Sequence, residues 1–148
     1  MKVVIQRVLK ADVVINGEIK SEIGNGFMIL LGIGKEDTSE DIDYLSSKIS
    51  NLRIFEDEQG KMNLDIKQVN GSILLISQFT LLADTSHGNR PSFINAGIPD
   101  IAIPLYEDFI KSLEEKGMKV KTGEFGAEMK VSLINDGPVT IIIDSKMK

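Results

Sequence analysis

Two stretches of this chain carry residues whose types and spacing could do chemistry. The first is LISQFTLLADTSHGNRPSF, where Ser77, Gln78 and Thr80 interrupt an apolar run and the only histidine, His87, follows soon after. On a strand, Ser77, Phe79 and Leu81 share one face while Gln78 and Thr80 share the other. Two readings compete: Gln78 and Thr80 line a solvated sheet face, or hydroxyls and backbone N–H groups at the strand's end form the wall of a pocket. The second stretch is INDGPVTIII, where Gly137-Pro138 splits apolar residues that otherwise read as strand. Asp-Gly and Gly-Pro are turn dipeptides, so taken alone this stretch is a hairpin turn.

Several familiar chemistries are poorly served. A Ser-His-Asp hydrolase would use Ser77 or Thr80 with His87 as base, but there is no G-x-S-x-G elbow, and SHGNRP reads as a loop. GIGKED lacks the further glycine of a dinucleotide fingerprint and the Gly-Lys-Ser/Thr of a P-loop. The acidic clusters Glu36/Asp37, Glu40/Asp41 and Glu56/Asp57/Glu58 fall at helix starts or turns, where carboxylates satisfy backbone donors. With no cysteine and one histidine, the chain offers neither a thiolate nucleophile nor a thiolate or His-rich metal site. We expect no metal and no cofactor.

The totals set the scale. A chain of 148 residues with 42% hydrophobic and 26% charged residues is expected to form one domain, 1–148. No apolar run reaches the ~20 residues that cross a bilayer, and MKVVIQRVLK gains charge too early for a signal peptide, so a cytoplasmic protein is expected. The net charge of −5 disfavours gripping long nucleic acid by its phosphates. It leaves room for a protein that holds the end of one strand in a small pocket.

The elements that must position these stretches follow from periodicity. KVVIQRV and ADVVING predict strand, with Asn16-Gly17 as a tight hairpin turn into EIKSEIG. GFMILLGIG and GSILLISQFTLL predict two buried strands, and RIFEDEQGKMNLDI short strands around Gln59-Gly60. Ile42, Leu45, Ile49 and Leu52 recur at helical spacing, with Thr38 as N-cap and Asp41 completing a capping box. A second helix begins near Asp100 and ends at Gly117, burying Ile101, Leu105, Phe109 and Leu113. The tail from Gly117 supplies the last strands. Hairpins outnumber crossovers in this reading. The predicted class is α+β, a curved, barrel-like, mostly antiparallel sheet with two main helices packed outside.

Together these residues resemble a family. SQFTL (Ser77–Leu81) followed by NDGPVT (Asn135–Thr140) is similar to the two signature motifs of the D-aminoacyl-tRNA deacylases. MKVVIQRV, LRIF, GKMNL, ADTSHGNRPSF and FGAEMKVSLINDGPVT match in the same order, so the likeness covers essentially the whole chain. The resemblance implies a cytoplasmic homodimer that hydrolyses the ester joining a D-amino acid, or glycine, to the 3′ end of tRNA, sparing L-aminoacyl-tRNA. No membrane or DNA partner is implied. It further implies a cis Gly137–Pro138 peptide that enters the partner's pocket as the chiral gate, held by Arg7. Ser77, Gln78, Phe79 and Thr80 would line the catalytic wall, with Met129, Ala102 and Phe125 as pocket candidates. Catalysis would be assisted by the tRNA 2′-hydroxyl, with Thr80 the competing nucleophile. The alternative is a non-catalytic module that binds a small molecule or an RNA end on the same dimeric fold.

Overall fold

The computed structural model describes residues 1–148. The chain opens with β1 (Lys2–Ile15), turns at Asn16-Gly17 into β2 (Glu18–Ile23) and continues into β3 (Gly26–Gly32). Both turn residues have positive φ, 51° at Asn16 and 80° at Gly17, as a tight two-residue hairpin requires. β2 and β3 form one antiparallel arm against β1. Ala11 pairs with Ile23, Val8 pairs with Gly26, and the register holds across Gly24-Asn25.

Helix α1 (Ser39–Asn51) follows, and its Thr38/Asp41 capping box is present as predicted. A short hairpin, β4 (Phe55–Glu56) with β5 (Met62–Leu64), leads to β6 (Ser72–Ser77). Next come a 3-10 turn (Phe79–Leu82), α2 (Pro99–Glu115), β7 (Lys119–Thr122) and β8 (Lys130–Asp144). The sheet runs β8–β1–β3–β6–β7, with β2 extending β3 along the same edge of β1.

Every pairing of β1 is antiparallel, but β3–β6 and β6–β7 are parallel. The sheet is therefore mixed. Parallel neighbours need crossovers, and these carry α1 and α2 over one face. Phe27, Ile29, Leu31, Ile73 and Leu75 bury against both helices in the larger core. Met28, Leu74 and Ile76 point the other way into a second core with Val8, Ala11 and Val13, inside the curve of the nearly closed barrel. Burial on both faces is why β3 and β6 read as continuous apolar runs.

Three expectations need correction. The strand predicted through Leu82 stops at Ser77, whose last parallel partner is Leu31; the chain then bends into the 3-10 turn, so Gln78 and Thr80 do not line a sheet face. On α2 the buried stripe is Ala102, Tyr106, Phe109 and Leu113, while Ile101 is exposed and Leu105 half-buried. Steps of four overshoot the 3.6-residue repeat, so a stripe drawn only from fours drifts off the face. The third correction is the hairpin at Asp136-Gly137-Pro138. β8 runs straight through it, and both halves pair with the same strand, β1.

Candidate functional site

The Gly-Pro stretch is a bulge. Gln6 pairs with Thr140 and Val8 with Asn135, so Arg7 alone faces the four residues Asp136–Val139. A surplus of three residues must leave the sheet, and Gly137 and Pro138 stand exposed at the crest. Their peptide bond is cis. The bulge is tied at both ends. Arg7 Nε donates to the Asp136 carbonyl at 3.0 Å, and Val139 N–H donates to Asn135 Oδ1 at 3.3 Å. Arg7 Nη1 donates to the Ile54 carbonyl at 2.7 Å, so a guanidinium only 5% exposed joins the bulge to the segment after α1. Gly137 has φ of 132°, and a Cβ there would sit 2.8 Å from Val139 Cγ2 and 3.1 Å from Arg7 Nη2.

The other signature stretch lines a cavity of about 250 Å³ at the mouth of the barrel. Ser77, Gln78 and Phe79 form one wall, and Phe125, Ala127 and Met129 the opposite one. Thr80 is exposed on the turn, and its Oγ1 accepts from Gln78 Nε2 at 2.6 Å. In any helical turn the first N–H groups have no acceptor within it, so those of Phe79 and Thr80 are available at the cavity's rim. The Phe79 ring is half exposed and meets Phe93 edge-on, with centroids 5.1 Å apart.

His87 is not a base for this wall. Its Nδ1 lies 2.8 Å from Ser86 Oγ, and Ser86 Oγ donates to Asp84 Oδ1 at 2.6 Å, all within the exposed loop. The hydroxyl of Ser86, followed by its backbone N–H, holds the Asp84 carboxyl below its ordinary value. The carboxylate thus orients a serine rather than the histidine, the reverse of a catalytic triad.

Within one chain the Gly137–Pro138 crest and the Ser77–Phe79 cavity share no lining residue. The residues around Arg7 and Asp136 line a different hollow, with Asn25, Phe55 and Glu56.

Residues 4–144 match the family described as D-Tyr-tRNA(Tyr) deacylase. The chain belongs to that family. A D-aminoacyl-tRNA deacylase of Flavobacterium psychrophilum is 62% identical over 100% of this chain and 99% of its own length. Its counterpart in Bacteroides fragilis is 61% identical with the same coverage. Among solved structures, one described as c-Myc DNA Unwinding Element Binding Protein superposes with a TM-score of 0.92 and 42% identity, covering 97% of this chain and 98% of that one. A probable eukaryotic D-amino acid tRNA deacylase, at 16% identity and TM-score 0.83 over 96% and 97% of the two chains, shows the shared fold alone.

Of the residues the deacylase motifs nominate, the structure gathers Ser77, Gln78, Phe79, Phe125 and Met129 around one cavity, with Thr80 beside it. Ala102 does not line it; it is buried in the core between helices and sheet. Sequence reasoning missed three supports of the cavity. Tyr106 packs on Phe125 with centroids 5.9 Å apart and donates to the Leu75 carbonyl at 3.2 Å. Burial, partly offset by Thr122, pushes its phenol up to about 12, so it remains a neutral donor. Gly123 makes room for Met129, since a Cβ there would fall 2.5 Å from its Sδ. Gly32 backs the 3-10 turn, because a Cβ would fall 2.8 Å from Leu81 Cβ and 2.7 Å from Leu82 Cδ2. The two glycines carried a sequence signal, a glycine inside or just past a strand, which marks a close approach of other atoms; Tyr106 on α2 carried none.

Proposed function

We propose that this deacylase-family chain clears D-aminoacyl and glycyl esters from the 3′ end of tRNA and excludes L-aminoacyl esters by a steric gate lent by a second copy. The gate is the exposed Gly137–Pro138 crest of one protomer, seated in the Ser77–Met129 cavity of its twofold mate. The observation that carries this reading is the bulge opposite Arg7. Three surplus residues are pushed off the sheet, tied at both ends, and crowned by a residue without a side chain. Such a crest presents backbone rather than side chain to whatever enters beside it. It can bind the substrate's amino group with carbonyl oxygens and leave no volume for a side chain of L configuration. Glycine has nothing to clash, so the same filter admits it.

The chemistry needs little from side chains. An aminoacyl ester is already activated, and the vicinal ribose 2′-hydroxyl lies beside its carbonyl. The cavity orients the ester, the N–H groups at the start of the 3-10 turn face the developing oxyanion, and the 2′-hydroxyl helps to position water. Thr80 has a glutamine, not a base, as its hydrogen-bond partner, which favours RNA assistance over a threonine nucleophile. An RNA-editing hydrolase of this kind works in the cytoplasm, where charged tRNA is used.

The deciding experiment measures deacylation of D-Tyr-tRNA, Gly-tRNA and L-Tyr-tRNA by wild type and by Gly137→Ala. Wild type should cleave the first two and spare the third. The variant should lose D-activity or the distinction between hands. Unchanged rates and discrimination in the variant place the gate elsewhere.

A further inference from the structure

A hollow of about 670 Å³ lies away from the cavity described above, along the outer side and C-terminal end of α1. Tyr44, Lys48 and Asn51 from α1 line it, together with Arg53 just beyond the helix, and Asp43 is its one carboxylate. Two ammonium groups lie over the Tyr44 ring, Lys48 Nζ at 5.7 Å and Lys148 Nζ at 5.0 Å from its centroid. Neither lysine nor Arg53 has a carboxylate within ion-pair distance. Lys48 alone would be unremarkable, since a cation in the last turn complements the helix dipole. Arg53 lies outside the helix, after the C-cap Leu52, and its Nε is held by the Asn63 carbonyl at 3.0 Å. On a chain of net charge −5, unpaired cations converging on an aromatic ring in an open groove mark a place for an anionic, ring-bearing chain.

We propose that this groove receives the phosphate backbone of the tRNA acceptor stem, with Lys48 and Arg53 as its phosphate contacts. The inference rests on the function proposed above and deepens it. The groove is joined to the gate, because Arg53 precedes Ile54, whose carbonyl accepts from Arg7, and Arg7 in turn holds Asp136. If the crest of one protomer enters its mate's cavity, the crest carries its own α1 groove towards that cavity's mouth. The stem leading out of one protomer's cavity then crosses the other protomer's α1. Each tRNA is read by both copies: the ester by one, the stem by the other.

The test compares wild type with Lys48→Glu and with Lys48→Glu/Arg53→Ala on two substrates, full-length D-Tyr-tRNA and D-tyrosyl-adenosine. On tRNA, kcat/KM should fall about tenfold or more in the double variant, and its salt dependence should flatten by about one to two phosphate equivalents. On D-tyrosyl-adenosine both variants should match wild type, which also shows that they fold. Equal activity on tRNA, or equal losses on both substrates, overturns the groove assignment. Should wild type itself leave D-Tyr-tRNA uncleaved, the deacylase reading fails separately. Filter binding of uncharged tRNA then decides the groove alone: weaker binding by the double variant supports it, and unchanged binding overturns it.

Discussion

Arg7 donates from Nε to the Asp136 carbonyl at 3.0 Å, so the β1 residue that faces the bulge without a partner in β8 holds the bulge's base. The same guanidinium lies 3.5 Å from Asp136 Oδ2 and reaches Ile54 with Nη1. A long side chain confined in this way resists replacement, because its fork serves two carbonyls in fixed directions.

Arg7→Ala should therefore destabilise the fold by about 1–3 kcal/mol, the usual cost of leaving buried acceptors unpaired, and should free the Gly137–Pro138 crest. Arg7→Lys keeps the charge but cannot donate to both carbonyls in that geometry, so it should recover stability more than discrimination. Thermal unfolding with D- and L-Tyr-tRNA assays on both variants checks this. If Arg7→Ala sorts the two hands as wild type does, the guanidinium serves folding alone.

Gly32 makes a second, independent prediction. Its missing Cβ is the space into which Leu81 and Leu82 of the 3-10 turn settle, 2.8 and 2.7 Å from where that atom would lie. Gly32→Ala must push the turn outwards or strain β3, at a cost of about 1–3 kcal/mol for overpacking. Deacylation should fall at least tenfold, because the displaced turn carries Phe79 and Thr80. Gly24→Ala is the control: nothing lies within 4 Å of its added carbon, so it should be close to wild type in both stability and rate. Comparable damage from the two substitutions would mean that backing of the turn does not matter.

These residues also show what could be read in advance. Thr38 and Asp41 announced the start of α1, and Asn16-Gly17 announced a hairpin, because caps and tight turns depend on residues within a few positions of one another. The parallel pairing of β6 between β3 and β7 was not legible. It depends on which distant strands meet, and a strand buried on both faces shows the same apolar run in either direction. The Gly137–Pro138 bulge was misread as a turn for a related reason. Nothing local in NDGPVT reveals that the strand resumes against the same neighbour; that is a property of β1. The cavity's chemistry came from motif likeness, whereas its supports at Gly32, Gly123 and Tyr106 required coordinates, since each acts through a contact far along the chain.

Asp41 predicts how stability responds to acid. Burial by itself raises its pKa, but the Ser145 hydroxyl at 2.6 Å, the Thr38 N–H at 2.8 Å and the Lys146 ammonium at 3.0 Å outweigh burial and hold the carboxyl well below its ordinary 3.8. A carboxylate whose folded pKa is depressed contributes stability that is fully present above its unfolded value and is lost as pH falls through the folded one. Melting temperatures should thus be level above about pH 5 and decline below about pH 4. Asp41→Asn should lower stability at neutral pH and flatten that decline. An acid limb of undiminished slope in Asp41→Asn would assign it to other carboxylates.

Thr80 separates the two catalytic mechanisms. Its hydroxyl accepts from Gln78 Nε2 at 2.6 Å and has no base beside it, while the one histidine is bonded to Ser86 in the loop. If the residue only shapes the cavity's rim, Thr80→Ala should lose no more than about tenfold in kcat on D-Tyr-tRNA, since the ester's positioning and the 2′-hydroxyl survive. Removing a true nucleophile costs on the order of 10⁴ or more. The complementary substrate is D-Tyr-tRNA ending in 2′-deoxyadenosine, on which wild type should slow sharply while Thr80→Ala adds little further loss. Full activity of wild type on the deoxy substrate, with collapse of Thr80→Ala on both, would make threonine the nucleophile and remove the RNA from the chemistry.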